Sequence, residues 1–230
     1  MAAVLEITGR GSTVHADVAR QWHDNVAAPC LSRLPALTAY DLYVPAVGSP
    51  TDPMVDDGPG PHFMLMLEFL TTEALQRAVR SLDFRTSVSQ VPTGLALTAD
   101  AMERRFYPVA AENEAMPLSA PFSYSVRYHR PAEDEARFIK FYLDNHPPLL
   151  GRLPCVRNVI CYLPMSGVAV TCLPSADYML GNEVVFDAPE AFNAAMASEV
   201  RRELRADFKR FPPFTGQNTH YPMARRRLIG

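Results

Sequence analysis

Apolar and polar residues alternate over several short stretches of this chain, and between those stretches apolar residues recur at helical spacing. Val4-Leu-Glu-Ile-Thr8 alternates as a strand. Val14, Val18, Trp22 and Val26 then recur every four residues, which predicts a helix capped near Thr13 with that stripe buried. Pro35 disfavours helical geometry at Leu34, and residues 37–44 read as the next strand. From Gly48 to Pro61 the chain is dense in Gly, Pro and Asp, a composition that predicts a mobile hairpin loop. Residues 63–70 read as a strand, and Thr71 or Thr72 caps a helix with Leu75, Ala78, Val79 and Leu82 on one face. A short strand around 94–98 ends the first half.

The second half repeats this order. A strand at 124–129 precedes a helix opened by Pro131 and by Glu133, Asp134 and Glu135, whose charges suit the positive end of a helix dipole. Strands follow at 155–163 and 178–186. Asp187 is expected to cap a helix with Phe192, Ala195, Met196, Val200 and Leu204 inward, and 214–221 supplies the closing strand. Residues 99–120 are expected to be a linker, helical in part around Ala101-Met-Glu-Arg-Arg105.

The repetition extends to identities. Pro29-Cys-Leu-Ser-Arg-Leu-Pro35 and the strand after it return 119 residues later, starting at Pro148. Seven of 17 positions match across 29–45 and 148–164, where chance at residue frequencies of roughly 5–8% allows about one. Thr93-Gly94 also matches Thr215-Gly216. The expected architecture is therefore α+β, with two ferredoxin-like βαββαβ repeats, 1–98 and 121–230, joined by the linker. Each repeat exposes one bare sheet face. Packing the two sheets against each other covers both and predicts an eight-stranded pseudo-barrel inside one chain, helices outside and a cleft in each half.

Composition narrows the classes. A net charge of −3 gives no footprint for nucleic acid or an anionic membrane. The one basic run, Arg225-Arg-Arg227, reads as a solvated tail. No apolar run reaches the ~18 residues needed to span a bilayer, and Glu6 interrupts the only signal-like segment. Cys30, Cys155, Cys161 and Cys172 form no Cys-x-x-Cys pair, so reduced, buried thiols in a cytoplasm are expected. Glycine-rich nucleotide loops, His-Glu-x-x-His and Gly-x-Ser-x-Gly are all missing, and the six histidines show no metal-ligand spacing. No cofactor and no metal are expected.

The segment Phe141-Tyr-Leu-Asp-Asn-His146-Pro-Pro-Leu-Leu-Gly-Arg152-Leu-Pro154 resembles the signature of the EthD-like family, part of the dimeric α+β barrel superfamily. That pattern runs from an aromatic-rich helix through His-x-Pro-Leu and a basic residue to Leu-Pro. Cys155 stands where the pattern has glycine, and in the first half Ala27 stands where it has the histidine. The resemblance implies a histidine, His146, that points into the cleft of the second half, with the first half structural. Haem occurs in distant barrels of the superfamily, but no axial ligand stands out here.

His146 is the catalytic candidate, because a neutral imidazole can take or give a proton near neutral pH. Arg127 and His129 share one face of their strand, with Tyr124, Val126 and Tyr128 on the other; alternation does not say which face lines the cleft. Arg127 would suit a carboxylate or phenolate ligand. Tyr162 matches Tyr43, Glu183 matches Glu68, and His220 ends the closing strand. With His146 as the acid–base group, Arg127, Tyr128, His129, Tyr162, Glu183 and His220 are the candidate ligand contacts. The leading expectation is a cofactor-independent enzyme acting on a small apolar or aromatic molecule by proton transfer: an isomerase, cyclase, dehydratase or monooxygenase type. A non-catalytic carrier of a hydrophobic ligand and a structural partner protein are the alternatives. The chain could work as a closed monomer or pair further through sheet edges.

Overall fold

A computed structural model describes residues 2–11, 16–48, 50, 52, 55, 57, 60–111 and 118–230. Eight strands form a closed antiparallel barrel in the order β1-β3-β2-β8-β5-β7-β6-β4. They are β1 (Ala2–Arg10), β2 (Leu37–Pro45), β3 (Phe63–Phe69), β4 (Ala96–Tyr107), β5 (Phe122–His129), β6 (Asn158–Pro164), β7 (Tyr178–Phe186) and β8 (Asn218–Ile229). The order 4-1-3-2 of the first four recurs as 8-5-7-6 in the last four. The two sets meet along both edges, β2 on β8 and β4 on β6, so no open sheet edge is left.

The helical segments lie outside. They are α1 (Ala16–Trp22), a π-helical turn (His23–Ala27), α2 (Ala28–Leu31), α3 (Thr72–Arg80), α4 (Leu82–Ser89), α5 (Glu135–Leu150), α6 (Pro189–Met196) and α7 (Glu199–Phe208). Side-chain caps start three of them: Thr71 Oγ1, Ser81 Oγ and Asp134 Oδ1 accept from the backbone N–H three residues on, at 3.2, 3.2 and 2.9 Å. One apolar core fills the space between helices and sheet in each half. A third cluster draws on strands of both halves, including Val4, Tyr43, Met64, Met102, Tyr162 and Met223, and fills the barrel itself. Eight strands leave just enough room for side chains.

Several sequence-based expectations change. The buried face of the first helical segment falls on Ala19, Trp22 and His23, spaced i, i+3 and i+4, which leaves Val18 39% exposed at its margin. The expected cap, Thr13, lies outside the described residues. Ser81 starts a new helix before Leu82, which is 73% exposed. Asp187 does not cap α6; Ala188 holds that position, and the Asp187 carboxylate pairs with Arg157. The expected linker begins at 99, yet β4 runs unbroken to Tyr107 because residues 102–107 ladder onto β6. The basic run is no tail. β8 continues along β2, and alternation turns Arg225 and Arg227 toward the buried Asp41, at 3.0 and 2.6 Å.

The barrel interior is unusually polar. Arg127 is fully buried and forks onto Glu6 of β1, with Nη2 and Nε 2.8 and 3.1 Å from Oε2. Tyr43 and Tyr162, matching positions in the two halves, both donate to the Glu183 carboxylate, at 3.0 and 2.7 Å, and Ser123 donates at 2.7 Å. Glu68, the counterpart of Glu183, pairs with Arg104.

Candidate active site

In the second half, helices α5, α6 and α7 stand off the outer face of the sheet and leave a cleft of about 220 Å³. Its floor is Tyr124, Val126 and Tyr128 of β5, Asn182 and Val184 of β7, and Asn218 and His220 of β8. His146 and Leu150 of α5 and Met196, Leu204 and Phe208 of the following helices form the wall. The volume lies below the roughly 300–1,000 Å³ of drug-sized pockets, so the occupant is compact.

The strand faces left open by alternation are now assigned. Tyr124, Val126 and Tyr128 face the cleft, whereas Ser123, Ser125 and Arg127 face the barrel. Of the seven candidate residues, His146, Tyr128 and His220 are brought together here. Arg127, Tyr162 and Glu183 lie on the opposite side of the sheet, closed off from the cleft, so they are corrected to structural contacts. The carboxylate that Arg127 suits is Glu6 of the same chain. His129 is also outside the cleft lining; it packs edge-on to Tyr178 with ring centroids 4.9 Å apart.

His146 Nδ1 lies 2.9 Å from Asp207 Oδ2, near the end of α7. A carboxylate only accepts, so Nδ1 carries the proton and Nε2 keeps a lone pair. The ring is fixed between Tyr142 and Phe211, at 5.0 and 5.2 Å between centroids. Burial lowers the His146 pKa below the usual 6.5, and the Asp207 hydrogen bond offsets only part of that. The imidazole is therefore neutral at neutral pH, with Nε2 free to accept a proton. On the floor, Asn182 donates to the Tyr142 hydroxyl, while its Oδ1 is buried with no hydrogen-bond partner. That oxygen is an acceptor open to a ligand hydroxyl.

The rim comes from the first half. Asp52, Val55 and Asp57, in the β2–β3 connection, line the cleft of the second half. Asp52 accepts from Arg201 Nη2 at 2.7 Å and from the Tyr124 hydroxyl at 2.9 Å. Asp57 Oδ2 accepts from both the backbone N–H and Nδ1 of His220, at 2.6 and 2.7 Å. The expected mobile hairpin loop thus holds two carboxylates anchored on the other half. No local pattern marks Asp52, Asp57 or Asp207 as site residues, because each acquires its role from a partner distant in sequence.

Among the described residues, the first half shows no matching hollow between helices and sheet. Phe63 lies across Gly9, where a Cβ would come within 2.3 Å of the ring, and Trp22 stacks on Phe63 at 5.7 Å. His23, buried here, bonds the Tyr40 hydroxyl at 2.8 Å. Among the described residues no group of three or more His, Cys, Asp or Glu could hold a metal ion, and no helix is long and apolar enough to cross a membrane.

Burial lowers the pKa of His23, His129, His146 and His220 alike. In the window between each lowered value and 6.5, the unfolded chain binds more protons than the folded one. Stability is then full above about pH 6.5 and falls as pH drops through the folded values. Thermal melts from pH 7.5 to 5 should show a falling midpoint, with a shallower fall in His23→Gln. A midpoint that rises on acidification would contradict the assignment.

No family model matches the chain, and no curated protein matches it. Solved structures do. A monooxygenase-like protein of Fusobacterium nucleatum has a TM-score of 0.57 and 6% identity, over 98% of this chain and 94% of that one. A monooxygenase-like protein of Lactobacillus acidophilus gives 0.54 and 9%, over 100% and 97%. An anthrone oxidase-like protein gives 0.57 and 8%, over 98% and 92%. At these identities the likeness concerns architecture alone: this chain shares their overall fold over 98–100% of its length.

Proposed function

We propose that this chain is a cofactor-independent enzyme that moves a proton on a compact aromatic or otherwise apolar molecule held in the cleft of the second half. The His146–Asp207 pair carries the reading. An imidazole with a fixed tautomer, neutral at working pH, is suited to general base catalysis. Tyr128 and the apolar wall supply contact area, and Asn182 Oδ1 accepts from a substrate hydroxyl. The resemblance of 141–154 to the EthD-like family supports this reading, as do neighbours named for monooxygenase and anthrone oxidase chemistry. We read the chain as a tandem duplication of a ferredoxin-like unit with only the second cleft open, at work in the cytoplasm. A ligand carrier is the second reading, and a structural partner protein the third, which the cleft's volume below roughly 300 Å³ favours.

Native mass spectrometry of the purified protein tests occupancy. A bound small molecule is expected on wild type and lost in Leu204→Trp, which fills the cleft. An adduct that persists in Leu204→Trp would place the ligand elsewhere and sink the proposal.

A further inference from the structure

The cleft holds two histidines, and the reading above uses one. His220 repeats the arrangement of His146 with a carboxylate from the other half: Nδ1 donates to Asp57, as Nδ1 of His146 donates to Asp207. Both rings line the same cavity. Both therefore keep Nε2 for chemistry. His220 is fixed further by stacking on Tyr124, ring centroids 5.8 Å apart, and by the backbone N–H bond to the same Asp57 oxygen.

The surrounding charges differ between the two. Asp57 and Asp52 both face His220, against the guanidinium of Arg201. His146 faces one carboxylate, Asp207, and is opposed by Arg201 and by His220 itself. Arg205 at the mouth adds positive charge, and the phenols of Tyr124, Tyr128 and Tyr142 stay neutral because burial raises their pKa. Burial lowers the pKa of both rings, and the two carboxylates near His220 against one near His146 favour His220 as the ring that takes up a proton when the pair binds one.

We propose that His220, positioned by Asp57, is a second catalytic residue, so that the cleft is a two-histidine acid–base site. This rests on the reading of His146 as base. His146 Nε2 takes a proton from a carbon–hydrogen bond of the substrate, and the electron pair shifts through the conjugated system. His220 Nε2–H delivers a proton where that pair arrives. If the receiving atom is a carbon further along, the result is an isomer; if it is a hydroxyl leaving group, the carbon–oxygen bond breaks and water departs. Neither route needs an oxidant. His146 ends protonated and His220 neutral, and exchange with water at the open mouth resets them. The substrate class is thus a compact unsaturated carbonyl compound or a β-hydroxy carbonyl compound. The first half, its own hollow filled, contributes to the site through Asp57.

Two measurements test this separately from the base assignment. In ¹⁵N-histidine NMR, His146 and His220 should both appear as the Nδ1–H tautomer when neutral, and Asp57→Asn should lower the His220 pKa while leaving the His146 tautomer unchanged. A His220 titration unmoved in Asp57→Asn would overturn the proposal without touching His146. The second measurement uses 1,2-benzisoxazole and its 5-nitro derivative. A base removes the ring C–H proton, the N–O bond breaks and the ring opens to a cyanophenolate. The nitro-substituted phenolate forms unaided, whereas the unsubstituted one gains from a proton donor. His146→Ala should depress elimination of both, and His220→Gln should depress the unsubstituted substrate about tenfold more than the nitro compound. Equal losses on both would make His220 merely structural and overturn the proposal. Elimination that does not depend on His146 would instead sink the base assignment.

Discussion

His146→Ala is expected to lower kcat/KM for the natural substrate by about 10²–10⁴-fold, the usual worth of a positioned general base, while the protein still retains the ligand seen by native mass spectrometry. His146 is one of many side chains lining the cleft, so binding should survive its loss. The change also strips the Asp207 carboxylate of its partner at 2.9 Å, which costs about 1–3 kcal/mol. His146→Gln, which can still donate to Asp207, controls for that and should show the same loss of turnover with a smaller loss of stability. Asp207→Asn should keep the ring in place but lower its basicity, moving the acidic limb of the pH–rate profile to lower pH. Steady-state kinetics alongside thermal melts separate these effects. Turnover retained in both His146 variants would remove this residue from the mechanism and leave the carrier reading.

The largest stability effect should come from the barrel interior. Arg127→Met leaves the Glu6 carboxylate, 1% exposed, without its guanidinium partner. Breaking such a buried pair costs about 3–5 kcal/mol. At roughly 2–4 °C per kcal/mol for a chain of this size, the melting midpoint should fall by on the order of 10 °C. Arg127→Met combined with Glu6→Leu should recover much of the loss, because replacing both charges avoids the stranded carboxylate. The pair also ties β5 of one half to β1 of the other across the barrel, so the loss should show as weaker cohesion between the halves. Calorimetry of the two single variants and the double variant reads the coupling. A double variant no more stable than the sum of the singles would show that the ion pair is not an isolated unit.

Strand existence was well marked by the residues, because alternation and turn composition act locally. Tyr178–Phe186 is found where the pattern places it, and the strands at 37–45 and 63–69 differ from expectation by a residue at an end. The ends of β4 and β8 were not legible. Glu103-Arg104-Arg105 and Arg225-Arg-Arg227 look like solvated charge until β6 and β2 lie beside them. Burial of Val18 was misjudged for a different reason: a strict spacing of four drifts across a helix face, and the buried stripe falls on Ala19, Trp22 and His23. His146 could be found from the residues around it, whereas Asp207, 61 positions away, could not.

The order of strands and helices, the identities shared by 29–45 and 148–164, and the helix that bears His146 follow from the chain's own pattern, since each rests on neighbours within a few residues. Packing in three dimensions chose everything that depends on distant partners. In a strand buried on both sides, a period of two cannot tell cleft from barrel, so Arg127 and Tyr128 traded roles once the sheet closed. The acidic residues that orient the two histidines come from α7 and from the other half of the molecule. Only barrel closure, which places the β2–β3 connection over the second sheet, brings Asp57 to His220.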